Sequence, residues 1–281
     1  MAITNEMIKK LRESTGAGMM DCKRALEESG GSMEAAVEYL RKKGAAVAQK
    51  RSDRAAKEGV IVTRVSPDGK TGVIVEVNCE TDFVGRSDAF TAFAGAVAGA
   101  IAAHRPGTLD ELRALKTPGG KSVADLMNDL LAKVGEKIEV RRFSVMESKD
   151  GTIYSYTHLG SKIGVLVECA NIPPETAVGR DVAMQIAAMN PSTVAREEVA
   201  KEIVERELDI YRTQAKNEGK PPQIVDRIAN GRLEKFYQEI CLLEQIFVKD
   251  GGKTVREYLA ESGKNAAVRR FHRYHLGEEA R

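Results

Sequence analysis

Sliding the 281-residue sequence along itself by 92 positions lays Gly72-Val73-Ile74-Val75-Glu76 over Gly164-Val165-Leu166-Val167-Glu168 without a gap, and Ile61 falls on Ile153. Four of those five positions are identical, which constrains the core to two related units sharing one plan. In the first copy, apolar runs at Val60 to Val65 and Gly72 to Val77 flank Pro67-Asp68-Gly69, a hairpin turn signal. Phe90, Phe93, Ala94, Val97 and Ile101 follow at helical spacing; a helix from about Ser122 to Val134 then leads into a strand at Ile138 to Val145. In the second copy, a hairpin of Ile153 to Thr157 and Gly164 to Glu168 precedes a helix from Asp181 to Met189. The expected fold class is α+β.

Ahead of the repeat, residues 1–44 read as a three-helix module. Thr4 is placed to cap the first helix, which carries Met7, Ile8 and Leu11 on one face, and Thr15-Gly16-Ala17-Gly18 is a turn. The second helix runs from about Met19 to Glu28. The third starts at Ser32, buries Met33, Ala36, Val37 and Leu40, and is expected to stop at Gly44. The adjacent pair Met19-Met20 cannot turn both side chains to one core, so one is expected at the surface, where a soft side chain suits a partner. Residues 45–58, rich in Ala, Lys and Arg with no wide apolar face, read as a linker. The core is then expected over 59–146 and 147–276, with 277–281 as a tail.

The second copy is interrupted between Arg196 and Tyr237. Val204, Leu208, Tyr211 and Ala215, then Ala229, Leu233, Phe236 and Ile240, repeat at 4-3-4 spacing around Glu218-Gly219-Lys220-Pro221-Pro222. This predicts an antiparallel helical hairpin projecting from the core, an arm that meets a partner or a second copy of the chain. Beyond it a strand is expected at Leu242 to Val248, a helix at Lys253 to Ala260 and a last strand at Ala267 to Leu276.

Basic and acidic residues nearly balance, 43 against 41, and Trp is absent, so no direct nucleic-acid binding is expected. The cluster Arg269, Arg270, His272, Arg273 reads as a solvated face. No apolar run approaches the roughly 20 residues of a spanning helix, and Met1 to Glu6 resembles no targeting peptide, so no membrane contact and a cytoplasmic location are expected. Cys22, Cys79, Cys169 and Cys241 lie too far apart for a CxxC pair and read as reduced core thiols.

Chemistry-bearing motifs are scarce. Gly120-Lys121-Ser122 and Gly252-Lys253-Thr254 match the end of a phosphate-binding loop, but Leu115 and Phe247 replace the upstream glycine that lets such a loop wrap phosphates. His272 and His275 fall on opposite sides of a strand, and His104 and His158 lack a triad pattern. No catalytic residue, metal or cofactor is expected; the chain reads as one that binds. A phosphate-binding enzyme using Gly252-Lys253-Thr254 is the rival from another class, and an adaptor that binds helices through Met19-Met20 is a second.

The most distinctive short stretch is Cys79-Glu80-Thr81-Asp82-Phe83-Val84, where the apolar run ends and a helix pattern begins near Ser87. Locally it supports two outcomes: Thr81 or Asp82 caps a helix with Phe83 tucked beneath as a staple, or the junction aims Phe83 outward. Under the 92-residue shift Thr81-Asp82-Phe83-Val84 falls on Pro173-Pro174-Glu175-Thr176, so the shared plan does not require the polar-aromatic step.

Leu11-Arg12-Glu13-Ser14-Thr15-Gly16-Ala17-Gly18-Met19-Met20-Asp21-Cys22-Lys23 followed by Glu76-Val77-Asn78-Cys79-Glu80-Thr81-Asp82-Phe83-Val84 resembles the bacterial elongation factor Ts family. Ile163 to Val167 and Leu243 to Asp250 extend the likeness over nearly the whole chain. The resemblance implies a guanine nucleotide exchange factor for elongation factor Tu. It implies an N-terminal ubiquitin-associated-like module, two pseudo-symmetric α+β core subdomains and an inserted coiled-coil hairpin. It further implies that Thr81, Asp82, Phe83 and Val84 reach the partner's GTPase domain, with Phe83 as a wedge that displaces the magnesium and phosphate loops. Arg12, Met19 and Met20 match further contacts to that domain. Ile246 stands where the family pattern has Pro, and the sequence stops at Arg281, before the C-terminal helical module of many relatives, so no contact is assigned to such a module.

Overall fold

The computed structural model describes residues 3–50, with backbone alone for 45–50, and residues 54–158, 160–173 and 176–278. Parts of the expected linker (51–53) and tail (279–281), and Pro174 and Glu175 of the repeat comparison, therefore lie outside the described residues. The chain opens with three helices, α1 (Asn5–Thr15), α2 (Met19–Glu28) and α3 (Met33–Lys50). Thr4 accepts the Met7 amide at 3.3 Å to start α1, and Gly16, at φ 70°, ends it by returning its amide to the Arg12 carbonyl. Ile8, Leu11, Cys22, Ala25, Leu26, Ala36 and Leu40 close over one another between the helices. Leu11 and Leu26 are fully buried, and each contributes about 1.5–3 kcal/mol.

The expectation that Gly44 stops the third helix is not met, since α3 continues to Lys50. A Cβ at residue 44 would lie 3.3 Å from the Ala132 Cβ and 3.4 Å from the Asn128 carbonyl oxygen of a core helix. Gly44 is there for close helix approach, not for a cap.

The core begins with β1 (Glu58–Val65) and β2 (Thr71–Cys79), joined by the expected turn, where Gly69 takes φ 68°. Four helices follow: α4 (Asp82–Gly85), α5 (Asp88–His104), α6 (Leu109–Ala114) and α7 (Val123–Val134). Strand β3 (Glu139–Glu147) then pairs with β2 to complete an antiparallel sheet of order β1-β2-β3. The second half has β4 (Thr152–Thr157), β5 (Ile163–Ala170) and α8 (Val178–Met189). It continues with the arm helices α9 (Lys201–Asn217) and α10 (Pro222–Ile240), then β6 (Ile246–Phe247), β7 (Asp250–Thr254), α11 (Val255–Ser262) and β8 (Ala267–His275). Its sheet runs β4-β5-β8, also antiparallel.

Why the glycine-led runs are apolar at every step follows from this arrangement, because each central strand is covered on both faces. Val73, Val75 and Val77 of β2 face Phe90, Phe93, Val97 and Ile101 of α5, as Val165, Val167 and Cys169 of β5 face Val182 and Ile186 of α8. The alternate residues face the other sheet: Ile61, Ile74 and Met146 meet Ile153, Leu166 and Tyr274. Gly72 and Gly164 create the room for that contact. A Cβ on Gly72 would come within 2.8 Å of Ile153 Cγ2, and one on Gly164 within 2.5 Å of Ile61 Cγ2. Each repeat's glycine thus receives the isoleucine of the other.

The repeated glutamate has the same fate twice. Glu76 is fully buried and accepts from Arg142 Nε at 2.7 Å and the Gly277 amide at 3.0 Å, while Glu168 accepts from Arg270 Nε and the Ser148 hydroxyl, both at 2.7 Å. Both strands carry a bulge directly after it. Burial acts to raise the Glu168 carboxyl, but the Ser148 and Arg270 hydrogen bonds outweigh it and hold the group below its ordinary value.

After the arm the sequence pattern misleads. Leu242 to Val248 is not one strand: Leu242–Glu244 is a 3-10 turn, and only Ile246–Phe247 is extended, paired with β7. Gln245 breaks the run, because its side chain is buried, donating to the Glu239 carbonyl at 2.8 Å and accepting from Gln185 Nε2 at 3.1 Å. Ile246 is 52% exposed. The next helix starts at Val255, not Lys253, because Thr254 and Glu257 form a capping box at its head.

Helices α9 and α10 bury Ala215, Val225, Ala229 and Leu233, and the 19-residue α10 is roughly 28 Å long at 1.5 Å per residue. Arg196 pins their base, pairing with Glu234 at 2.7 Å and Glu244 at 2.9 Å and lying 4.7 Å over the Tyr237 ring. A chain in which residues 205–235 are replaced by a short Gly-Ser loop is expected to remain soluble and melt cooperatively, since Arg196 keeps its Glu244 partner. An insoluble or uncooperative product in calorimetry would show that the arm is part of the core.

Candidate functional site

Thr81 opens α4, a single turn that needs outside support because one helical turn is not stable alone. The Thr81 amide donates to Glu136 Oε2 at 3.0 Å and its hydroxyl to Glu136 Oε1 at 2.7 Å, while the Val84 amide reaches the same hydroxyl only at 3.5 Å. From beneath, the Cys79 thiol donates to the Thr81 carbonyl at 3.1 Å. Burial, with Glu136 and Glu58 nearby, pushes that thiol up to about 12, so it stays protonated and unreactive.

The rest of the turn is seated by glycine. Gly85 is buried, and a Cβ there would stand 3.3 Å from the Gly59 Cα and 3.4 Å from Cys79 Sγ. Val84 is half-buried against the α5 side of the core. Asp82 pairs with Arg86 one turn on at 3.2 Å, an exposed pair worth at most about 0.5 kcal/mol. Phe83, between them, is 84% exposed. The local alternatives therefore divide: Thr81 does cap a helix, but Phe83 is no staple.

In the second repeat, residues 176–178 lead straight into α8, and Ala177 stands at its head without a side-chain cap. The aromatic step belongs to the first repeat alone.

Arg12, Met19 and Met20 lie on the N-terminal helices and are all exposed, Met19 at 53% and Met20 at 70%. The expectation was one surface methionine; both are at the surface because Gly18 starts α2 and its buried stripe begins at Cys22. These helices attach to the core through α3 on α7 and through the Gly16 turn, where an added Cβ would stand 3.0 Å from Lys133 Cδ, whereas α4 packs on β1, β2 and α5.

Sequence reasoning missed Glu136, which stands 55 residues from Thr81 just after the C-cap Gly135, where no periodicity marks it. The two Gly-Lys-Ser/Thr triplets are helix heads: Ser122 and Thr254 each complete a capping box, and Lys121 and Lys253 pair with Asp129 and Glu261. All four cysteines are buried and unpaired. Among the described residues no cluster of three His, Cys, Asp or Glu side chains is arranged to hold a metal, and no helix is long and apolar enough to cross a membrane.

The family described as elongation factor TS matches residues 80–278, from the head of this turn to the last strand. The chain belongs to the elongation factor Ts family. The elongation factor Ts of Prosthecochloris aestuarii is 47% identical to it over 284 residues, covering 98% of this chain and 99% of that protein. That of Clostridium perfringens is also 47% identical, covering 98% and 93%, and that of Trichlorobacter lovleyi 45%, covering 99% and 94%. Elongation factor Ts is a family of translation elongation factors, and its match begins at Glu80, next to the capped turn that carries Phe83.

Proposed function

We propose that the chain is a guanine nucleotide exchange factor of translation elongation, acting in the cytoplasm on GDP-bound elongation factor Tu. Phe83 is the wedge. With Thr81, Asp82 and Val84 it enters the partner's GTPase domain and displaces the loops that hold magnesium and phosphate. Arg12, Met19 and Met20 make further contacts to the same domain. Residues 1–44 form the ubiquitin-associated-like module and 45–58 a linker into which α3 extends. Residues 59–146 and 147–276 are the two pseudo-symmetric subdomains, with a coiled coil inserted at 196–237 and a tail at 277–281. Self-association through the coiled coil remains an alternative use of that arm.

The observation that carries this reading is the 84% exposure of Phe83 on a turn held from several sides, in a chain of this family. A large apolar side chain kept in water on a fixed base gains about 1.5–3 kcal/mol when a partner buries it. That gain accelerates release only if it is realised in the GDP-releasing conformation, because a wedge that bound both states equally would shift nothing. The test is release of a fluorescent GDP analogue from elongation factor Tu with excess unlabelled GDP. Acceleration that rises and saturates with this chain is expected; an unchanged rate at every concentration would overturn the proposal.

Met20→Glu is expected to weaken partner binding by roughly 1–2 kcal/mol, within the range of an apolar interface side chain, and to leave the melting temperature unchanged because Met20 is solvated. Titration calorimetry and thermal melting separate the outcomes. A fall in melting temperature with unchanged binding would assign Met20 to the module's own packing.

A further inference from the structure

The 80–81 and 136–137 segments are locked by two carboxylates running in opposite directions. Glu136 accepts the Thr81 amide and hydroxyl, and Glu80 in return accepts the Lys137 amide at 2.7 Å and Arg54 Nη1 at 3.0 Å. Glu136 is placed for this by α7, whose helix ends where Gly135 adopts φ 71°, so the next residue leaves the helix axis toward the turn. Charge-assisted hydrogen bonds from backbone N–H to carboxylate are the stronger kind, and here they fall on the one residue that heads α4.

We propose that Glu136 is a positioning residue for the exchange wedge: its carboxylate holds Thr81, and through Thr81 keeps α4 formed with Phe83 turned outward in the free protein. The inference deepens the exchange function proposed above and depends on it. Phe83 adds no burial that would hold its own turn, and the Thr81–Val84 cap is long, so the α4 conformation leans on Glu136, Val84 and Gly85. Val84 and Gly85 seat the end of the turn; its head is held by the two Glu136 contacts to the Thr81 amide and hydroxyl, with the weaker Cys79 thiol donating to the Thr81 carbonyl from beneath. Without that grip the turn spends part of its time in other conformations. The half-saturating concentration of factor then rises in inverse proportion to the fraction of molecules with a formed turn, while the plateau rate, reached once binding has selected that form, is kept.

Glu136→Ala is therefore expected to raise the half-saturating concentration for GDP release about fivefold or more, with the plateau within about twofold of wild type, and to speed hydrogen exchange of the Gly85 and Arg86 amides, which donate to the Thr81 and Asp82 carbonyls when the turn is formed. Glu136→Gln, which keeps one acceptor oxygen, should fall between. In a Phe83→Ala background the same Glu136→Ala change should alter half-saturation less than about twofold, because there is no wedge left to position. Wild-type half-saturation in the single variant, unchanged amide exchange, or an equal rise in the Phe83→Ala background would each overturn the positioning role while leaving the exchange function standing. If the wild-type chain itself leaves GDP release unchanged, both fall, and hydrogen exchange would then report on the clasp as a purely structural feature.

Discussion

Phe83→Ala is expected to fold and melt as the wild type does, yet to lose about 2–4 kcal/mol of the coupling that drives GDP release, the scale of a strong interface residue. That is a fall of roughly 30-fold to several-hundred-fold in stimulated release at saturating factor. The stability half of the expectation follows from exposure: at 84% solvent access the ring contributes little to the core, and removing it leaves the Thr81 cap, the Glu136 contacts and the Gly85 seat in place. Asp82→Ala should have a smaller effect, since its visible partner is the solvated Arg86. Because both side chains sit on one turn and act on one displaced loop, the double variant should lose less than the sum of the two. Stopped-flow release with each single variant and the double measures all three. Full wild-type stimulation by the Phe83→Ala protein would remove the wedge from the mechanism.

Gly164→Val is expected to destabilise the contact between the two sheets by about 3 kcal/mol, the upper part of the usual range for overpacking. Even the first added carbon would stand 2.5 Å from Ile61 Cγ2 and 3.1 Å from Thr63 Cγ2, so the sheets must separate or Ile61 must leave its rotamer. The counterpart Gly72→Val should cost somewhat less, because its nearest contact, Ile153 Cγ2, is 2.8 Å away. Adding Ile61→Ala to Gly164→Val should recover part of the loss, a coupling that residues not in contact would not show. Denaturant unfolding of the singles and the double decides this. Strict additivity would mean that glycine and isoleucine do not share the space assigned to them.

Much of this arrangement is legible in the sequence, for reasons that particular residues make plain. The stripe from Phe90 to Ile101 has one period, and the helix it predicts buries all five of its residues. The glycine-led repeat is legible because both copies solve the same problem, an apolar strand between a helix layer and a second sheet. What failed was local grammar overridden by packing. Gly44 reads as a stop and is a contact glycine, while Leu242 to Val248 reads as a strand and is divided by a glutamine whose partners lie on α8 and α10. The same limit applies at the site. Whether Phe83 is staple or wedge depends on what stands opposite it in space, and the group that grips its turn, Glu136, is distant in sequence and carries no motif.

The central claim is one of coupling, and linkage gives it a test that does not depend on rates. If the chain promotes GDP release by favouring a conformation that holds GDP poorly, GDP must weaken the chain's own binding to elongation factor Tu by the same ratio. The decisive measurement is the affinity of this chain for nucleotide-free and for GDP-bound elongation factor Tu, set beside the affinity of GDP for the partner with and without the chain. Binding that is much tighter to the nucleotide-free partner, with the two ratios equal, is the predicted result. Equal affinity for the two forms would contradict it.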